Sequence, residues 1–130
     1  MHLFRPGMTA YAHCDLPCGV YDPAQARIEA ESVKAIMEKY QDNDDPVFRT
    51  RAVIIKEQRA ELVKHHLWVL WTDYFTPDHF ERFPQLHPLF NAATKAAGAA
   101  GAKGELDPAT GQELLDLIGE IETIFWQTKV

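Results

Sequence analysis

The sequence predicts an all-α protein: an up-and-down antiparallel four-helix bundle carrying an irregular N-terminal arm. Three observations predict it. No segment sustains the apolar–polar alternation of a half-buried strand, whereas several recur at helical spacing. Asp-Pro occurs at Asp22-Pro23, Asp45-Pro46 and Asp107-Pro108, each reading as an Asp N-cap before a first-turn proline. The links between the helices are short, which makes neighbouring helices antiparallel.

The first helix is predicted from about Pro23 to Tyr40, with Ile28, Ala35, Ile36 and Tyr40 on its apolar side. Gln25, three residues after Asp22, completes a capping-box pattern. "QDNDD" makes the next turn. The second helix runs from about Pro46 into the seventies, its apolar side traced by Val47, Ile54, Ile55, Leu62, Val69 and Leu70. Thr76-Pro77 is a weaker start for the third, over roughly Pro77 to Ala100, where Pro84 and Pro88 must each break or kink the first half. "AAGAAGAKGE" forms a loose helix end and a loop. The fourth runs from Pro108 to about Gln127, turning Leu114, Leu117, Ile118, Ile121, Ile124 and Phe125 inward. There is no internal repeat and no second domain.

Composition bounds the function. A chain of 130 residues suffices for one domain with a real core. The formal net charge of -6 argues against a nucleic-acid or anionic-membrane partner. No apolar run approaches the roughly 18 residues that span a bilayer. "MHLFRPGMTAYA" ends in a small-x-small pattern but has no apolar h-region, because Arg5, Pro6 and Gly7 interrupt it. It is a poor secretory signal and reads instead as a short leader, residues 1–12, removed inside the cell; a cytoplasmic location is expected.

A helical bundle raises the di-iron carboxylate site first. That site needs Glu-x-x-His motifs, and the positions three after Glu57, Glu61, Glu81 and Glu113 are Ala60, Lys64, Pro84 and Asp116. His65 and His66 are adjacent and point about 100° apart on a helix, so they cannot face one metal; one packed and one near solvent is the better reading. His79 and His87 lie beside prolines near helix starts, where structural or surface roles are the default. Trp68, Trp71, Tyr74 and Phe75 read as a packed aromatic cluster.

The arm is different. "HCDLPCGVY", residues 13–21, holds both cysteines of the chain, Cys14 and Cys18, directly after His13. A Cys14–Cys18 disulfide would close a tiny loop with little stabilising effect. A structural zinc site would want four protein ligands, and no second Cys/His pair is placed to supply them. Two unrelated thiols sharing one His-led turn by chance is unattractive. A cut between Ala12 and His13 opens another possibility. The new α-amine, the deprotonated amide nitrogen of Cys14 and the Cys14 thiolate form two fused five-membered chelate rings, and the Cys18 thiolate closes a square. Such an N2S2 plane suits Ni(II) or Cu(II), with the His13 imidazole within reach of an axial position. Pro17 and Gly19 fit the tight reversal that returns the second sulfur.

Residues 13–35, "HCDLPCGVYDPAQARIEAESVKA", resemble the nickel hook and first helix of the nickel superoxide dismutases. The similarity continues through "NDDP", "IKEQRAEL", "KHH", "LWTDYF", "DPATGQ" and "IFWQTK". The resemblance implies a homohexamer of four-helix bundles, each a single domain over residues 13–130. It also implies one nickel ion per subunit, cycling between Ni(III) and Ni(II) as superoxide is disproportionated to oxygen and hydrogen peroxide. The ligands it implies are the His13 amine and imidazole, the Cys14 amide and sulfur, and the Cys18 sulfur. The bond before Pro17 would be cis. Asp15 and Tyr21 would line the substrate approach, with Tyr74 bordering the same pocket. Glu29 and Arg59 would orient the His13 imidazole, one of them supplied by a neighbouring subunit. Tyr21, ordered water and a cysteine thiol compete as proton donors. Some relatives carry Lys where this chain has Thr76, which puts a steering role at that position in question. A maturation protease and a nickel chaperone are the implied partners. The competing reading is a non-catalytic helical module that sequesters Ni or Cu.

Overall fold

The computed structural model describes residues 20–130, which are helical throughout apart from their turns. Helix α1 spans Ala24–Gln41, α2 Pro46–Val69, α3 Pro77–Arg82, α4 Leu86–Ala100 and α5 Pro108–Gln127. In the order α1, α2, α4, α5 each long helix packs on the next, and α5 closes back on α1. Side-chain pairings fix the directions. On α1 and α2, Glu29 meets Arg59 at 3.1 Å, while Tyr40 lies under the Arg49 guanidinium at 4.4 Å. On α1 and α5, Arg27 meets Glu122 at 3.4 Å and Lys34 meets Gln112 at 2.8 Å. Between α4 and α2 with the turn that continues it, the Lys56 ammonium reaches the Ala100 carbonyl and the Trp71 ring lies 5.3 Å from Phe90. In each pair the residue numbers rise on one helix as they fall on the other, so the four long helices run up and down.

The helix starts reflect the local chemistry. The Asp45 carboxylate accepts the Phe48 N–H at 2.9 Å, and that of Asp107 accepts the Ala109 N–H at 3.0 Å. α1 begins one residue later than predicted, with Pro23 as its flanking residue and no side-chain cap of the Gln25 kind. Asp22 nonetheless accepts the Ala24 N–H at 2.8 Å. The weakest predicted start proves the most complete cap. Thr76 Oγ1 accepts the His79 N–H at 3.4 Å, and His79 Nδ1 accepts the Thr76 N–H at 3.1 Å, a reciprocal capping box with histidine in the third helical position.

The predicted third helix is two. Proline pushes its predecessor out of the helical region, and Phe83, at φ -126°, ends α3 before Pro84. Pro88 breaks nothing, because it falls in the first turn of α4, where its missing N–H costs no helical bond. The end of α2 also departs from regularity. Leu70–Tyr74 form a π-helical turn, closed by the Phe75 N–H donating to the Leu70 carbonyl at 2.9 Å. The wider turn inserts a residue and re-aims the side chains beyond it; Tyr74 and Phe75 sit at this re-aimed end.

The buried stripes of α1 and α2 differ from those predicted. Ile28, Val47 and Ile54 are 54%, 69% and 51% exposed, whereas Ala26, Ala30, Val33 and Met37 of α1 face Ala60, Val63 and Leu67 of α2 in the core. Alanines let the two helices approach closely, so the larger aliphatic residues fall outside. α5 matches its prediction, with Leu114, Ile118, Ile121, Ile124 and Phe125 buried and Leu117 packed at the core's edge. α5 approaches α1 tightly at Gly111, where a Cβ would lie 2.9 Å from the Lys34 Cβ.

Lys56 is fully buried at the opposite end from Tyr74. Its ammonium donates to the Ala100 carbonyl and, at 2.9 Å, to the Glu105 carbonyl. A charged side chain thus caps the C-terminus of α4 and ties down the loop to α5. Burial lowers its pKa from the usual lysine value, partly opposed by Glu57 and Glu105. In that loop Gly104 adopts a left-handed conformation, φ 72°.

Candidate metal centre

The proposed ligands His13, Cys14 and Cys18 lie outside the described residues, as do Asp15, Pro17 with the bond before it, Gly19 and the leader. The structure does describe the ground on which the arm lands. Asp22 caps the first turn of α1, Pro23 is buried, and the Arg27 N–H donates to the Pro23 carbonyl at 3.1 Å. These contacts fix the chain's direction immediately after Tyr21.

Tyr21 is half-buried and packs against the core. Its ring lies 5.9 Å from that of Tyr74, tilted by 59°. The structure therefore brings together two of the residues predicted for the substrate approach, one from the arm and one from the π-helical turn. Tyr74 is held on several sides. Its hydroxyl shares a 2.6 Å hydrogen bond with Thr128 Oγ1, which itself donates to the Phe125 carbonyl at 2.5 Å. Phe125 packs at 4.4 Å, and the His79 ring stacks at 5.7 Å, only 18° from parallel. The Lys129 ammonium lies over the Tyr74 ring at 4.9 Å and over Phe125 at 5.2 Å. Burial lowers the His79 pKa, with Arg82 and Lys129 adding to the effect and Asp78 opposing it. A lowered pKa favours the neutral ring, the form that its acceptor role at Nδ1 in the capping box requires.

The second predicted pair is also formed. Arg59 Nη1 donates to both carboxylate oxygens of Glu29, at 3.1 and 3.3 Å. Both residues of this contact belong to the same chain. His66 lies in the same electrostatic neighbourhood. Burial lowers its pKa, His65 lowers it further, and Glu29 opposes them. The two histidine rings meet edge-on at 5.5 Å, with His65 exposed and His66 half-buried, as adjacent positions on a helix require.

Other candidates resolve into packing. Trp71 sits among Phe80, His87 and Phe90 at 4.5 to 5.5 Å. Trp68 leaves the predicted cluster and is 46% exposed. A surface cavity of about 200 Å³ between Trp68, Trp71, His87 and Asn91 contains none of the predicted site residues. Among the described residues no group of His, Cys, Asp and Glu is arranged to hold a metal, which leaves the arm as the metal-binding candidate. Sequence reasoning missed Lys129, Thr128 and the stacking role of His79. Only the histidine's position three residues after Thr76 could have signalled its part.

The family model for nickel-containing superoxide dismutases matches residues 8–129. The superoxide dismutase [Ni] of Streptomyces coelicolor is 67% identical over 98% of this chain and 95% of its own length. That of Streptomyces seoulensis is 66% identical over the same shares. Among solved structures, native nickel superoxide dismutase superposes with a TM-score of 0.84 at 68% identity, covering 90% of this chain and 98% of that one. The form whose nickel ligation corresponds to the oxidised state gives 0.85 with the same identity and coverage.

Proposed function

The chain belongs to the nickel-containing superoxide dismutases, and we propose that it converts two superoxide anions and two protons to one molecule of oxygen and one of hydrogen peroxide. His13, Cys14 and Cys18 would hold the nickel through the His13 amine and imidazole, the Cys14 amide nitrogen and thiolate, and the Cys18 thiolate. This donor set fits the group: anionic sulfur and nitrogen suit nickel and favour its higher oxidation state. When bound, the metal supplies a one-electron Ni(III)/Ni(II) couple, and the protein sets potential, access and protons.

The chain's own residues then divide the work. Removal of residues 1–12 by a maturation protease frees the His13 amine. Pro17 and Gly19 fold the hook. Glu29 and Arg59, paired at 3.1 Å, orient the His13 imidazole, as partners of metal-bound histidines commonly do. Asp15, Tyr21 and Tyr74 border the substrate approach. The exposed apolar side chains Ile28, Val47 and Ile54 are what a second copy would cover, in keeping with a homohexamer. No helix of the described residues is long and apolar enough to cross a membrane; a cytoplasmic location and a nickel chaperone complete the reading.

The observation that carries it is the juxtaposition of Tyr21, the last residue of the hook motif, with Tyr74 in a chain that aligns with the family from residue 8 to 129. The test is superoxide disproportionation by protein beginning at His13 and loaded with nickel, with bound metal counted in the same sample. Turnover with one nickel per chain supports the reading. One nickel per chain without turnover would identify a metal-sequestering module instead.

A further inference from the structure

The formal net charge of -6 repels superoxide at long range, so any attraction toward the site must be local. Among the described residues, the Lys129 side chain is placed at the hook end of the bundle to supply it. The Lys129 ammonium lies 4.9 Å above the Tyr74 ring and 5.2 Å above Phe125. Tyr74 is in turn the ring against which Tyr21 packs. Lys129 is exposed, and among the described residues it joins none of the ion pairs, which engage Arg27, Arg49, Arg59 and Arg82. Among the described residues no carboxylate lies within ion-pair distance of it. The backbone that carries it is also held in place. Residues 128–130 continue α5 as a turn, with the Lys129 N–H donating to the Trp126 carbonyl at 3.1 Å and Thr128 bonded to Tyr74. Thr76, a few residues from Tyr74, carries no charge and is committed to capping α3.

We propose that Lys129 is the local steering cation for superoxide: seated on the Tyr74 face, it draws the anion to the mouth bordered by Tyr21 and Tyr74 without touching the metal. The inference rests on the superoxide dismutase reading above. Its effect is on encounter. Lys129 raises the second-order rate constant and gives it a dependence on ionic strength, because salt screens an exposed charge. One charge acting over several ångströms of water-like medium changes the encounter rate about two- to fivefold.

The experiment uses nickel-loaded protein beginning at His13, unsubstituted and as Lys129→Gln, Lys129→Glu, Lys129→Arg and Lys103→Gln, with nickel counted in each. The last variant makes the same change of net charge in the α4–α5 loop. The rate constant for superoxide decay is followed by pulse radiolysis across a series of ionic strengths. Lys129→Gln should lower kcat/KM about two- to fivefold at low salt and flatten its salt dependence. Lys129→Glu should lower it further and invert the dependence, while Lys129→Arg and Lys103→Gln should match the parent. Equal rates and equal salt slopes for Lys129→Gln and Lys103→Gln would overturn the inference and leave the enzyme reading standing. Absence of turnover in every protein, the parent included, would overturn both.

Discussion

Replacing Arg59 with Ala separates what the Glu29–Arg59 pair does for the fold from what it does for the metal site. One guanidinium nitrogen contacts both carboxylate oxygens, at 3.1 and 3.3 Å. The Glu29 side chain is 16% exposed and that of Arg59 45%. A pair with one partner nearly half in solvent contributes about 0–1 kcal/mol to stability. For a domain of this size the melting temperature should fall by about 4 °C at most. The consequence for turnover should be larger. A carboxylate that orients a metal-bound imidazole is typically worth about tenfold or more in metal affinity or activity, and tenfold is about 1.4 kcal/mol of barrier. Circular dichroism melts, nickel counting and pulse-radiolysis kinetics on one preparation would measure all three quantities. Arg59→Ala, Glu29→Ala and the double variant should keep their helices and lose activity to a similar extent, because both side chains act through one contact and their effects are not additive. Unchanged kinetics in both single variants would refute the orienting role. A loss of several kcal/mol in stability would show the pair to be structural instead.

Other parts of the molecule carry expectations of their own. Cys14→Ser and Cys18→Ser should each abolish turnover while leaving the far-ultraviolet spectrum unchanged, since both precede the described helices, which begin at Ala24; full activity in either would remove that thiolate from the site. His66 and His79 are held below the ordinary histidine value of 6.5, chiefly by burial. The unfolded chain therefore binds more protons just below that pH, so stability present above about pH 6.5 should be lost progressively as pH falls through the folded pKa values. His79→Gln, which keeps an acceptor in the capping box but cannot be protonated, should flatten this dependence in melts taken from about pH 7.5 to about 5; an unaltered profile would exclude His79 as a source. Lys56→Met should destabilise by about 2–4 kcal/mol, because the Ala100 and Glu105 carbonyls lose a charged donor. An unchanged denaturation midpoint would mean that burying the ammonium costs as much as its hydrogen bonds return.

Features decided by neighbours in sequence were legible, and those decided by neighbours in space were not. Asp45, Thr76 and Asp107 mark helix starts because a cap is a contact between residues two or three apart. The α5 stripe was legible because its large aliphatic residues are also its buried ones. On α1 and α2 size misleads. Ala26, Ala30 and Ala60 are buried because small residues let the helices close up, and this turns Ile28 and Ile54 outward. Nothing in the sequence around Lys56 separates it from a solvated lysine; its carbonyl partners come from residues 100 and 105, on another helix and loop. Likewise Lys129 acquires a role only where the end of α5 meets the π-helical turn. The hook is the reverse case. His13, Cys14 and Cys18 stand within six residues of one another and lie outside the described residues, so their proposed role as ligands rests on spacing and on the family resemblance.

In the proposed site the nickel coordination is completed by the His13 α-amine, a nitrogen that translation does not provide. With residues 1–12 attached, the His13 nitrogen is an amide, a poor donor whose deprotonation is costly. The direct measurement compares protein beginning at Met1 with protein beginning at His13, both exposed to nickel, for bound metal and for superoxide turnover. One nickel per chain and rapid turnover are expected in the shortened protein, with turnover close to absent in the uncut one. Comparable turnover in both would show that the free amine is dispensable and that the proposed site is wrong.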